Sequence, residues 1–204
     1  MPGAATEAIH VPVMVTEVVA WLVTATEGWY VDGTVGAGGH AEAILARLSP
    51  EGHLLGLDLD PRTLATAHER LSASAPRVVL RQDSHARLPE ILNELRVEKC
   101  QGLLLDLGLS SMLLDGGGRG FSFQTDEPLD MRYDPTRGEP LHRLLRELSP
   151  VSLADTLRRY GEERHAGRIA AGLHREAVAG QLTTSGALAA AVRAVSRGPY
   201  VTKT

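Results

Sequence analysis

Cysteine, lysine, phenylalanine and long apolar runs are all scarce in this chain: of 204 residues, one is cysteine and two are phenylalanine. A lone Cys100 excludes a disulfide framework and a thiolate metal centre, and its place just ahead of an apolar stretch reads as bland. No run approaches the roughly 18 apolar residues that a membrane span needs. The opening Met1–Glu7 has neither a basic signal region nor an arginine-rich amphipathic pattern, so the expectation is a cytoplasmic protein with no membrane partner. The net charge of −4 argues at face value against a nucleic-acid partner. The distribution is uneven, however: residues 140–197 hold nine arginines against five acids, a local balance of +4 that leaves −8 for the remainder. A set of solvated helix faces would produce the same pattern.

Against these absences stand 21 glycines and 43% apolar residues, the composition of a globular protein. Four glycines fall within the run Asp32-Gly33-Thr34-Val35-Gly36-Ala37-Gly38-Gly39-His40, directly after the apolar Trp29-Tyr30-Val31. A strand that ends in such a loop lets the backbone turn sharply and approach a ligand where a Cβ would collide. The helical pattern from Ala41, with Ile44, Leu45 and Leu48 on one face, places a helix N-terminus behind the loop. Asp58 ends the next apolar run, 20 residues beyond Gly38, where an acid can accept both hydroxyls of a ribose. Nicotinamide, flavin and S-adenosylmethionine binders share this arrangement. Gly36-Ala37-Gly38-Gly39-His40-Ala41 offers only Ala41 as a weak third member of a dinucleotide fingerprint. Asp32 would repel a pyrophosphate and pair with a cationic group, which favours S-adenosylmethionine, a ligand with an ammonium, a sulfonium and no phosphate.

The chain reads as a βα repeat, with strands near 29–32, 53–58, 77–82 and 102–106 and helices over 40–48, 61–72 and 87–96, and hence as an α/β fold on a parallel sheet. Residues 107–139 hold six glycines and no sustained period, and a loop of that length inside a compact domain is usually functional. From about 140 the pattern is helical to the end, with a Ser149-Pro150 start, a break at Gly161, a second helix to Gly180 and a third from Thr184-Ser185 striped by Leu188, Ala191, Val192 and Val195. Gly102–Leu107 has the pattern of a strand buried on both faces. No later segment has a strand's composition. Its edge would then be covered by helices, paired in a homodimer, or left open in a truncated polypeptide, and truncation is the expectation.

Several segments together resemble the bacterial small-subunit ribosomal RNA (cytosine-N4)-methyltransferase family, of the MraW or RsmH type. They are His10-Val11-Pro12-Val13-Met14 with Glu17, the glycine run above, Asp58-Leu59-Asp60-Pro61, Leu105-Asp106-Leu107-Gly108-Leu109-Ser110-Ser111, Arg119-Gly120-Phe121-Ser122-Phe123, Pro128-Leu129-Asp130-Met131-Arg132 and Tyr160-Gly161-Glu162-Glu163. The resemblance implies a class I S-adenosylmethionine-dependent methyltransferase fold, a Rossmann-like parallel sheet with a helical insertion after strand 4. Residues 1–110 would form the N-terminal part of the cofactor domain, 111–139 a substrate loop and 140–204 the insertion. Members of the family continue through a Phe-Gln-Ala-Leu-Arg segment and further strands, so C-terminal strands are expected to be missing here, with Val201–Thr204 as the lead-in.

The resemblance places Gly38, Gly39, His40, Asp58 and Asp106 at cofactor-contacting positions, and Asp32 and Gly36 join them from the loop itself. Two positions depart from the family pattern: Ser84 or His85 replaces an aromatic over the adenine, and Leu113 replaces a glutamine. Methylation of the N4 amine of cytidine needs acceptors for its N–H groups, because its lone pair is delocalised into the ring, and the gain comes from position and electrostatics. Asp106 is the first candidate, Ser110 the second and Asp130 the third, with no metal required. Asp130 and Arg132 could equally pair with each other. Phe121 and Phe123 could stack an extruded base or anchor the loop in a core. The implied partner is small-subunit ribosomal RNA or a ribosomal particle. A non-catalytic S-adenosylmethionine- or RNA-binding fragment is the alternative.

Overall fold

The computed structural model describes residues 12–114 and 117–195, which divide after Gly108 into two compact units. His10, Val11 and the segment Val201–Thr204 lie outside the described residues. Among those described, no helix is long and apolar enough to cross a membrane.

The first unit runs α1 (Val15–Leu22), β1 (Gly28–Asp32), α2 (Gly39–Leu45), β2 (Gly52–Asp58), α3 (Pro61–Arg70), β3 (Val78–Gln82), α4 (Leu88–Glu94) and β4 (Gly102–Leu104). The strands form one parallel sheet in the order β3-β2-β1-β4. Side chains alternate across a strand, so β1 and β2 sort their apolar residues to two faces. Tyr30 and Leu54 pack with Val19, Ile44, Leu64 and Ala67 from α1, α2 and α3, while Val31, Leu55 and Leu57 pack with Ile91 of α4. Each of the buried valine, leucine and isoleucine side chains contributes about 1.5–3 kcal/mol. Asp60 caps α3 by accepting the Arg62 N–H at 3.0 Å, with Pro61 in the first turn.

Two features differ from the sequence reading. Helix α1 was not anticipated, since Val15, Val18 and Val19 are β-branched and give it weak intrinsic helical preference. β4 covers three residues rather than five and is not buried on both faces: Leu103 within it is 42% exposed, and Leu107 beyond its end is 70% exposed. The reason is topological. β4 pairs with β1 alone, through Tyr30↔Gly102, Val31↔Leu103 and Asp32↔Leu104, and among the described residues no strand lies on its other side.

The second unit contains α5 (Ser111–Leu114), α6 (Leu141–Glu147), α7 (Pro150–Gly161), α8 (Ala166–Val178) and α9 (Ser185–Val195). Ser149 accepts the Ser152 N–H at 3.1 Å and caps α7, whose first residue is Pro150. Leu145, Leu153, Ile169 and Leu173 form the core, against which the expected stripe of Leu188, Ala191, Val192 and Val195 packs. Gly172 on α8 admits Val195, since a Cβ there would lie 2.6 Å from a Val195 methyl. The loop before α6 enters the same core through the fully buried Leu129, whose N–H donates to the Thr183 carbonyl at 2.9 Å.

Candidate functional site

Because β1, β2 and β4 are parallel, their C-terminal ends share one edge, and each strand brings an acid there. Asp32 ends β1, Asp58 ends β2, and Asp106 follows β4 by two residues. This is where open α/β sheets hold their ligands.

The glycine loop is tied to that edge at successive points. The Gly33 N–H donates to the Leu104 carbonyl at 2.9 Å, the Val35 N–H to Leu57 at 2.9 Å, and the Gly36 N–H to Asp58 Oδ2 at 2.8 Å. Asp58 Oδ1 accepts the Asp60 N–H at 2.9 Å, so both oxygens already order backbone. Thr34 bridges to the neighbouring loop by accepting the Asp106 N–H on its hydroxyl at 2.8 Å. Nothing in the sequence reading had given Thr34 a role.

The glycines divide by function. A Cβ at Gly39 would collide with Pro12, and one at Gly38 (φ +85°) would touch Ala67 of α3, so these two serve packing. Gly36 (φ +52°) is the open position, with only the Thr34 carbonyl at 3.9 Å, and leaves its backbone approachable by a ligand. Arg70 of α3 steadies the loop from behind, donating to the Ala37 carbonyl at 3.3 Å and lying 3.5 Å from Glu42.

Asp32 is 1% exposed. Its Oδ1 accepts the Thr34 N–H at 3.1 Å, and its buried Oδ2 has no partner. Burial pushes its pKa up to about 6, the Thr34 N–H and His40 pull it back, and the Asp58 and Asp106 charges add to the rise. An unpaired buried carboxylate oxygen is costly, and a cationic ligand group would relieve it. His40, also buried, places Nε2 2.9 Å from the Val13 carbonyl and Nδ1 4.0 Å from Asp106 Oδ2, whose side chain is 56% exposed. Among the described residues no cluster of His, Cys, Asp and Glu has the arrangement to hold a metal ion.

Ser84 spends its hydroxyl on accepting the Ala86 N–H at 3.2 Å, which starts the turn His85–Arg87. His85 stands closer to the loop: its Cβ lies 3.0 Å from where a Gly33 Cβ would be. Sequence spacing left these two neighbours unresolved, and the local turn separates their roles.

The remaining candidates lie in the second unit. The Ser110 carbonyl accepts the Leu113 and Leu114 N–H groups, and its buried hydroxyl has no partner. Leu113 is buried. Asp130 is joined to Arg132 through Nε at 2.8 Å and Nη2 at 2.6 Å, and these bonds hold its carboxyl below the usual range. Arg119 donates to the Arg132 and Tyr133 carbonyls at 3.1 and 2.6 Å, and Glu127 accepts the Gly120 N–H at 2.9 Å. The two phenylalanines part company: Phe121 is buried against Tyr133, ring centroids 5.4 Å apart, whereas Phe123 is 76% exposed.

The chain is 48% identical over 162 residues to a ribosomal RNA small subunit methyltransferase H of Geotalea uraniireducens, covering 79% of this chain and 52% of that protein. It is 49% identical over 166 residues to the protein of that name from Halorhodospira halophila, covering 81% and 51%. Against the one from Thiobacillus denitrificans it is 41% identical over 198 residues, covering 95% and 63%. The chain thus spans about half the length of the first two relatives. Residues 7–204 match the model of the MraW methylase family, and the chain belongs to that family.

Proposed function

We propose that this chain binds S-adenosylmethionine at the Asp32–Asp58–Asp106 edge and takes part in methylating the N4 amine of a cytidine in small-subunit ribosomal RNA. The observation that carries the cofactor half is the unpartnered, buried Asp32 Oδ2 beside Asp58 and Asp106. Such an edge suits a ligand with positive charge and hydroxyl donors, and it disfavours a pyrophosphate. The substrate half rests on the family and on the names of the relatives.

The residues fit the cofactor. Asp58 has lone pairs left for ribose hydroxyls, Asp32 faces a cationic group, and Gly36, Gly38, Gly39 and His40 form the wall, with Gly36 the open contact. His85 is the better candidate than Ser84 to border the base, and Leu113 would contribute only apolar surface. When bound, the cofactor supplies an electrophilic methyl group on a sulfonium. Asp106, exposed at the strand end, accepts an N–H of the target amine and orients its lone pair. Ser110, with an uncommitted hydroxyl, is a second acceptor. Asp130 serves first to hold Arg132, which leaves it third.

In this reading residues 1–110 are the cofactor part, 111–139 the substrate loop and 140–204 a helical insertion whose arginines meet RNA phosphates. The work is cytoplasmic, on a ribosomal particle or its RNA. A second reading, a cofactor- or RNA-binding piece without transfer activity, is favoured by the open β4 edge, which could also pair in a homodimer. The test is transfer of a labelled methyl group from S-adenosylmethionine to small-subunit RNA, with nucleoside mass spectrometry of the product. N4-methylcytidine supports the main reading. Bound cofactor without product supports the second.

A further inference from the structure

The Val13 carbonyl fixes the tautomer of His40. A carbonyl oxygen only accepts, so Nε2, 2.9 Å away, must carry the proton. The neutral ring therefore keeps its lone pair on Nδ1, and Nδ1 faces Asp106 Oδ2 across 4.0 Å. Two acceptors thus oppose each other over a gap too long for a hydrogen bond. A proton delivered to either one turns the pair into a donor and an acceptor.

We propose that His40 is the proton acceptor behind Asp106, a positioning residue that acts through that carboxylate. The proposal rests on the amine-methylation reading. An amine that has used its lone pair to form a new N–C bond holds one proton too many. That N–H bond breaks, its electron pair returns to nitrogen, and the proton passes by way of Asp106 Oδ2 to the Nδ1 lone pair, leaving an imidazolium. The charged groups that act on the ring are Asp106 after β4 and Asp32 at the end of β1. Asp32 and Asp106 carry the charge that an imidazolium needs beside it. Val13 supplies the lock, which gives the Val13-Met14 segment ahead of α1 a task that the fold alone does not explain.

The discriminating variant is His40→Gln, whose amide can still donate to Val13 and present an oxygen acceptor but cannot take a proton. In the 204-residue chain with 15N-labelled histidine, long-range proton–nitrogen correlations should show neutral His40 protonated at Nε2, the signal being assigned by its loss in H40Q. A ring protonated at Nδ1 overturns the proposal. In single-turnover transfer to small-subunit RNA at saturating S-adenosylmethionine, H40Q should be about 100-fold slower, a loss well beyond the fall in calorimetric affinity that its place in the cofactor wall brings. Equal rates, or a loss of affinity as large as the loss of rate, would make His40 structural and overturn the relay. If the wild-type chain transfers nothing although the Nε2–H tautomer is present, the methylation reading fails and the relay with it, and only the Val13 lock stands.

Discussion

The Gly36 N–H donates to Asp58 Oδ2 at 2.8 Å, which ties the one open glycine of the loop to the acid at the end of the neighbouring strand. Loop shape and ligand recognition therefore share a carboxylate. Asp58→Ala should lower both, with affinity for S-adenosylmethionine falling by about 1.5–3 kcal/mol, or roughly 10- to 150-fold. Asp58→Asn, which keeps one acceptor oxygen, should lose less. Titration calorimetry of the two variants checks the order, and an unchanged affinity in Asp58→Ala would remove Asp58 from the site.

Asp32 should make both stability and binding depend on pH. Its carboxyl is raised from 3.8 to about 6 in the fold, so the native state keeps a proton that the unfolded chain releases. Stability then falls as pH rises from about 4 to 6, by at most about 3 kcal/mol. Cofactor affinity should move the opposite way and strengthen as Asp32 ionises. Asp32→Asn should flatten both curves, as denaturation midpoints and titrations at pH 5 and 7.5 would reveal.

The Asp130–Arg132 pair has partly buried side chains and two-pronged geometry. A double-mutant cycle with Asp130→Asn and Arg132→Gln should give a coupling of about 1 kcal/mol. Because Arg132 depresses the Asp130 carboxyl, this stabilisation is present above the unfolded value near 3.8 and is lost as pH falls through the folded one. Coupling that stays constant however far the pH is lowered below 3.8 would contradict the assignment.

Phe121 and Phe123 should separate in an unfolding experiment. Phe121→Ala removes a buried ring and should cost about 3 kcal/mol, whereas Phe123→Ala should stay within about 0.5 kcal/mol. Equal costs would contradict the exposures of 6% and 76%.

These residues also mark how far the sequence could be read. Asp32 and Asp58 were legible because each ends an apolar run at a glycine or proline punctuation, and parallel topology then brings them together. β4 was misjudged because an apolar run records what a strand is suited to bury, and Leu103 and Leu107 have no cover among the described residues. The Asp130–Arg132 pair could be named as one option, but which alternative held depended on the loop's path. Ser84 and His85 differ by one position and only a turn hydrogen bond distinguishes them. Thr34 and Val13 carried no signal, since one acts through a hydroxyl bridge and the other through its backbone carbonyl.

The central claim is that the acidic edge of the parallel sheet is an S-adenosylmethionine site. It is tested most directly by calorimetric titration of the 204-residue chain with S-adenosylmethionine and, in parallel, with nicotinamide adenine dinucleotide. Saturable binding of the first, weakened by Asp32→Asn, and none of the second is the predicted result. Binding of the dinucleotide, or of neither ligand by a cooperatively folded chain, would contradict it.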